Sequence, residues 1–300
     1  MKQIPIVRKG SSVKKLAGSI SLSSAAVTVT NSTTITYTKT GDGTVSVSSS
    51  NDTIAVAAIS GSNITITGIN GGVAVITVTL NESDHYTGAS AVCTVTVQKD
   101  FKYTFNPSSG ATFSGSASSD WMLTIKSTGT LTIQDLGAAE STGLDIFLAG
   151  GGGSGGSRYS GASTWGQGGS GGYNKTVYKD TSLKTGGAYT CTIGAGGAGV
   201  TGPDGNSNDG NSGGSTSISG TSLSVSGGEG GVRKAGSGVA GTSRTVTAFD
   251  GKTYCKGGAG ATGNSATING GANTGNGGNG NSGGLSGSGG SGIIIIRNAR

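Results

Sequence analysis

A field of glycine between residues 150 and 292 constrains this chain more than any other feature. Of the 62 glycines in 300 residues, 48 lie at or after Gly150, so about a third of that half is Gly. Such density leaves disorder, a collagen triple helix or a packed array of extended chains. Collagen is excluded, because no strict G-X-Y register runs through the segment and the chain holds only 3 Pro. Disorder is the default for Gly-rich polar sequence, which buries too little apolar surface to offset ordering entropy. Ordering 48 Gly rather than Ala costs on the order of 24–48 kcal/mol, at roughly 0.5–1 kcal/mol each. An ordered state therefore needs dense backbone pairing and an apolar anchor.

Both are written into the chain. Extended, polyproline-II-like glycine segments hydrogen-bond to neighbouring segments and add weak Cα–H···O contacts. The anchors are the apolar stretches LDIFLA (144–149), YTCTI (189–193), LSV (223–225) and IIII (293–296). Burial of the four Ile alone contributes about 6–12 kcal/mol. A flexible linker has no reason to end in IIIIR, so the field is expected to be ordered, with the Ile run pairing into an adjacent β structure. A continuous apolar run fits a strand buried on both faces.

Charge is scarce at 11%, and the polarity comes from Ser, Thr, Asn and Gly, which suits turn-rich β structure. The net charge of +6 is uneven: residues 1–17 carry Lys2, Arg8, Lys9, Lys14 and Lys15 with no acid. Those five are candidates for attaching the chain to a larger assembly, against the plainer reading of a solvated leader. The overall basic bias is too modest to argue for nucleic acid. No run of about 18 apolar residues is present, so no membrane insertion is expected. MKQIPIVRKG lacks the apolar core of a signal peptide, which predicts assembly in the cytoplasm without export. Cys93, Cys191 and Cys255 are odd in number and widely spaced, which fits neither a disulfide scaffold nor a metal site. They read as small core residues, with a Cys191–Cys255 bridge left open.

Residues 18–98 alternate apolar and polar with period two: AVTVT (26–30), TITYT (34–38), TVSVS (44–48), IAVAAI (54–59), NITITGI (63–69), VAVITVTL (73–80) and AVCTVTVQ (91–98). Turn signals separate them, so the spacing predicts a β-sandwich. His85 reads as a solvated loop residue. Residues 99–149 carry FKYTF (101–105), ATF (111–113), WMLTI (121–125), TLTIQ (130–134) and DIFLA (145–149). Phe101, Phe105, Phe113, Trp121 and Phe147 are expected to form the core of a small β head. The fold class is thus all-β, a β-sandwich (18–98) followed by a glycine-rich β domain (99–300), with an arm at 1–17.

No catalytic constellation is visible. Gly151, Gly153 and Gly156 satisfy G-x-G-x-x-G, but SRYSGASTWGQGG follows and cannot supply the required helix. Gly251-Lys252-Thr253 resembles the end of a P-loop, yet position 246 is Val. One His and 14 scattered carboxylates offer no triad and no glycosidase pair. Asp204, Asn206, Asn208 and Asp209 read as a turn rather than a Ca²⁺ loop, since no bidentate Glu follows. No enzyme, cofactor or metal is expected. What remains are aromatic and basic side chains on glycine loops: Tyr159 and Trp165 in SRYSGASTW, and Arg233, Lys234, Arg244, Phe249, Lys252 and Tyr254 in the insert at 232–256. Aromatics held on loops by a rigid scaffold grip sugars or proteins. For the insert, a packing pair of Phe249 and Tyr254 is the competing reading.

Two resemblances sharpen this. DIFLAGGGGSGG, GQGGSGGY, AYTCTIGAGGAG, SGGEGG and GGSGIIIIR, in that order over 101–300, resemble the glycine-rich domain of phage tail-fibre and related virion proteins. VSVSSSNDTIAVAAISGSNITITGINGGVAVITVTL and SAVCTVTV resemble the bacterial immunoglobulin-like group 2 module, with Val47 where many members carry Trp. The second implies an immunoglobulin-like β-sandwich for 18–98 and the first a glycine-rich β/polyglycine-II domain for 99–300. Together they imply a non-enzymatic virion protein: a tail-fibre adhesin presenting glycine-domain loops to a host surface glycan or protein, or alternatively a head fibre or capsid decoration. They also imply other virion proteins as partners of the arm, and a homo-oligomer such as a trimer.

Overall fold

The computed structural model describes residues 14–118, 120–158, 164–202, 208–235, 238–261 and 267–299, and they are almost entirely β. The chain divides into two compact units, Met1–Lys99 and Asp100–Arg300.

The first unit holds β1 (Ser19–Leu22), β2 (Ala26–Val29), β3 (Ser32–Thr40), β4 (Val45–Ser49), β5 (Ala55–Ser60), β6 (Asn63–Gly68), β7 (Gly72–Leu80) and β8 (Ala89–Val97). They form two four-stranded sheets, ordered β1-β3-β6-β5 and β2-β8-β7-β4. Period-two alternation turns one face of each strand inward: Ile64 and Ile66 from β6, Ile76 and Val78 from β7, Cys93 and Val95 from β8 are all buried. One strand departs from the sequence expectation. SISL forms β1, antiparallel to β3, because Ile20 and Leu22 pack on this core even though only four residues are available.

The second unit starts as a β head: β9 (Lys102–Asn106), β10 (Ala111–Gly115), β11 (Trp121–Ile125), β12 (Gly129–Asp135) and β13 (Leu144–Ala149). Short strands follow among the glycine runs, β14 (Ser157–Arg158) and β15 (Thr164–Gly166), before the longer β16 (Asn174–Asp180) and β17 (Ala188–Thr192). Then come β18 (Thr216–Ile218), β19 (Ser224–Val225), β20 (Arg233–Ala235), β21 (Val246–Thr247), β22 (Thr253–Tyr254) and β23 (Asn281–Ser282), and β24 (Ile293–Asn298) closes the fold. Two five-stranded sheets, β10-β11-β24-β13-β16 and β19-β18-β17-β12-β9, pack face to face. The Ile run is central to the first, antiparallel to both β11 and β13. Its alternate residues split between two cores. Ile294 and Ile296 face the inter-sheet core with Leu123, Ile146 and Leu148, while Ile293 and Ile295 join Phe147 and Tyr254 on the outer face. Phe101 stacks on Trp121 at 3.9 Å between ring centroids, with Tyr103 and Phe113 alongside. Phe147, in contrast, belongs to the outer cluster, because it alternates with Ile146 and Leu148 on one strand.

The glycine runs build the rest. Residues 150–157 continue β13 out of the head and form the central run. Their N–H groups bond with a period of three: Gly150, Gly153 and Gly156 to Tyr173, Ser170 and Gln167; Gly151, Ser154 and Ser157 to Gly214, Asn211 and Asn208; Gly152 and Gly155 to Gly290 and Gly287. Each set reaches one antiparallel neighbour. The carbonyls reach three more, which run parallel: Gly151 and Ser154 accept from Gly228 and Gly231, Gly153 and Gly156 from Gly278 and Asn281, and Gly152 from Gly197. Six runs thus surround one, as three-residue-per-turn extended helices pack in a hexagonal lattice. Glycine is required at almost every position there. A Cβ at Gly152 would overlap the Asn276 carbonyl, and one at Gly169 the Gly153 carbonyl. The single side chain within the heart of this run, Ser154, is fully buried, and its Oγ accepts the Asn211 N–H at 2.7 Å.

Candidate binding surface

The runs alternate in direction. Those at 194–200, 226–232, 256–261 and 275–281 leave the head parallel to the central run, and those at 166–173, 208–214, 238–242, 267–271 and 287–292 return. The described residues at the ends of these runs far from the head meet: Ser157 pairs with Asn281 and bridges to Asn208, Gly166 pairs with Arg233, and Thr201 bridges to Leu285. Residues 159–163, 203–207, 236–237 and 262–266 lie outside the described residues, and with them Tyr159, Asp204 and Asn206.

This geometry divides the expected binding residues into two groups. At the far end, β15 pairs with β20, which places Trp165 opposite Lys234 and Gly166 opposite Arg233. The Arg158 guanidinium sits 4.4 Å from the Trp165 ring centroid, a cation–π contact. Asp209 accepts the Arg233 N–H at 2.8 Å and lies 3.8 Å from its guanidinium. Exposed Val232, Val239, Ile268 and Leu285 add apolar surface at this end. Arg158 was not singled out from sequence. Its role depends on β14 pairing in parallel with β23, more than 120 residues away, which no local pattern reveals.

At the head end, the hairpin β21–β22 folds onto the outer face of the Ile-containing sheet. Here the structure corrects the expectation of an exposed grip. Tyr254 is 3% exposed and packs against Phe147, and its hydroxyl donates to Asp250 at 2.7 Å. Burial, then the Asp250 hydrogen bond and charge, push its pKa up. Phe249 lies edge-on to Tyr178 and under the Arg297 guanidinium, 4.2 Å from the centroid. Arg244 is consumed by the fold: it donates to both Glu229 oxygens at 2.9 and 3.1 Å and to the Gly171 carbonyl, and stacks 3.9 Å over Tyr173. Partial burial would raise the Glu229 pKa, but its own backbone N–H, Arg244 and the Tyr173 hydroxyl outweigh that and hold it below the usual carboxylate value. Phe249 and Tyr254 are thus both packed, though not as a pair: the ring of each lies against a partner outside the hairpin. Lys252 alone of this group projects, at 76% side-chain exposure.

A groove of about 380 Å³ opens beside Lys252. Its floor is the outer face of β10 and β11, and its walls are the hairpin and residues 272–274. Farther along β24 the ion pair Asp145–Arg297 is fixed by two bonds of 3.0 and 2.9 Å to one carboxylate oxygen, with Asp145 only 2% exposed.

The three cysteines are free and buried, with Cys191 in the inter-sheet core and Cys255 in the outer cluster, so no bridge joins them. Burial pushes Cys191 up to about 12 and Cys255 up to about 11. Among the described residues no cluster of three or more His, Cys, Asp or Glu is placed to hold a metal ion. In the first unit, Lys15 pairs with Glu82, Leu16 bridges to Tyr86, and Lys14 is exposed. Lys2, Arg8 and Lys9 lie outside the described residues. His85 contacts Asp42 at 3.1 Å in an exposed turn.

The second unit is thus a β head carrying a lattice of glycine helices whose described far ends meet. The chain belongs to the glycine-rich domain family, which it matches over residues 124–299. A search of curated proteins finds no match to the chain.

Proposed function

We propose that the chain is a non-enzymatic structural protein of a phage particle, a tail-fibre or adhesin-like subunit that meets the host cell surface through the far-end turns of its lattice. In this reading residues 1–17 attach to other virion proteins. The first unit, an immunoglobulin-like group 2 module, is a spacer, and the glycine-rich unit is the adhesive part of a homo-oligomer. The observation that carries the proposal is the segregation of side chains. The lattice interior tolerates almost no side chain, whereas the far end collects Arg158, Trp165, Arg233, Lys234 and four exposed aliphatic residues. A rigid scaffold with variable chemistry confined to loops suits recognition of a surface glycan or protein.

The second reading is a head fibre or capsid decoration, favoured by the basic run of residues 1–17 as a docking element on a larger shell. Immunogold electron microscopy of intact particles, with antibody raised against residues 100–300, separates them. Label at the tail tip supports the adhesin. Label spread over the head favours decoration, and particles without label would refute both.

A further inference from the structure

The groove beside Lys252 is far from the turns and has a composition of its own. Alternation along β11 sends Trp121, Leu123 and Ile125 into the core, leaving Met122 and Thr124 on the outer face. β24 ends this apolar floor with Ile293, and the buried Tyr254 ring closes one side. Thr112, Thr253 and Asn273 add hydroxyl and amide groups around it, and Lys126 and Lys252 stand at the rim. Apolar CH-bearing floor, a ring of small polar groups and a few charges is the surface that sugar rings need: one face to pack, hydroxyls to pair, an anion to hold.

Charge decides which sugars. Asp250 is the only acid among the lining residues, and its carboxylate is already occupied. It accepts the Lys252 N–H at 3.0 Å and the Tyr254 hydroxyl at 2.7 Å, the Lys252 ammonium lies 3.8 Å from it, and its side chain is only 10% exposed. Two lysines against this one buried, paired aspartate leave the lining net positive, with the exposed charge on Lys126 and Lys252. A second observation marks the same place. Cys255 (φ 62°) and Asn273 (φ 56°), two of the non-Gly residues held in the left-handed region, lie next to and within its walls. Such conformations cost about 1–3 kcal/mol each and cluster at ligand sites, where surrounding structure over-determines them. Here Asn273 is fixed by Ser291 and Cys255 by the Thr274 carbonyl.

We propose that this groove binds an oxyanion-bearing sugar unit of a glycan, through Lys126 and Lys252 over the floor of Met122, Ile293 and Tyr254. The ligand class rests on the glycan-binding reading above; the place does not, since it lies at the opposite end of the lattice. Isothermal titration of the full chain with tetragalacturonate, glucose 6-phosphate and maltotetraose tests it, the first two separating carboxylate from phosphate. The expected result is saturable binding of at least one anionic probe and weaker or no binding of the neutral one. Removing both ammonium groups (Lys126→Ala with Lys252→Ala) weakens that binding about tenfold or more, as charge-assisted hydrogen bonds are worth. Lys252→Arg retains it, and Lys102→Ala, an exposed lysine on β9 of the other sheet, leaves it unchanged. No binding of either anion, equal binding of maltotetraose, or an unaffected double variant overturns the proposal. Chemical-shift mapping on the unsubstituted chain is the second measurement. Shifts at Met122 and Tyr254 support the groove, and shifts confined to Trp165 and its neighbours overturn it. Failure of the adhesin reading would show instead as absence of tail-tip label, with these titrations unaffected.

Discussion

Substitution of Gly152 by Ala tests the lattice directly. Its N–H donates to the Gly290 carbonyl at 2.8 Å, its own carbonyl accepts from Gly197 at 2.9 Å, and its Cα faces the backbone of Asn276 and Gly277. A Cβ there meets backbone on a run that is itself bonded to others, so no side-chain rotation relieves it. Overpacking of this kind costs about 1–3 kcal/mol. Displacing the run weakens two backbone hydrogen bonds at about 1 kcal/mol each. The smaller entropy of the unfolded Ala chain returns about 0.4–1 kcal/mol. The net loss is about 2–4 kcal/mol. For a unit of roughly 150–250 residues, 1 kcal/mol moves Tm by about 2–4 °C, so a 3 kcal/mol loss lowers the transition of the second unit by about 6–12 °C. Scanning calorimetry of the full chain reads it, with Gly284→Ala as the control. At Gly284 a Cβ meets only the Asn281 side chain, at 3.6 Å or more. That variant should be unchanged or stabilised by about 0.4–1 kcal/mol. If Gly152→Ala melts with or above the parent chain, or if both variants shift equally, the argument from close backbone approach is wrong.

Further tests address the anchor and the charges. Ile295→Ala, at a site with no exposed surface, should cost about 2–5 kcal/mol in denaturant unfolding of the second unit. Asp145→Ala strips Arg297 of its partner and the Lys179 N–H of its acceptor, and should cost about 3–5 kcal/mol by the same assay. Glu229, held below its ordinary 4.5, contributes stability that is present above that pH and lost as pH falls through its lowered folded value. The acid limb of a Tm–pH series should therefore be shallower in Glu229→Gln. Cys255, raised from 9.0 to about 11, contributes stability present below pH 9 and lost as pH rises toward 11. Ellman's reagent at pH 8 should label no thiol in the native chain and all three after denaturation.

The head and the sandwich were legible because period-two alternation and a two-faced Ile run leave little choice of orientation. WMLTI and LDIFLA become β11 and β13, and IIII enters the sheet between them. NKTVYKD is not legible as β16, since Val177 alone of it packs on the inter-sheet core and the strand gains its place as the edge beside β13. The expected surface residues fared differently. Nothing in VRKAGSGVAGTSRTVTAFDGKTYCK shows that Arg233 and Lys234 belong to the far end while Phe249 and Tyr254 belong to the head. That division is made by the glycine run between them, whose N–H groups at Gly241 and partners at Val239 and Thr242 tie it into the lattice. Arg244 looks like a free cation in sequence because its acceptors, Glu229 and Gly171, are distant along the chain.

The three-residue period of the central run carries a further consequence for how such a chain can change length. Successive N–H groups address three different neighbours in turn, so the run behaves like a key with three wards. One inserted residue advances every later donor to the wrong neighbour and turns Ser154 away from Asn211. Three inserted residues restore the phase and add one layer. Length variation inside the runs should therefore come in threes, and in neighbouring runs together, while the far-end turns are free to grow by any number. A glycine rod of this kind is quantised along its axis and unrestricted at its tip.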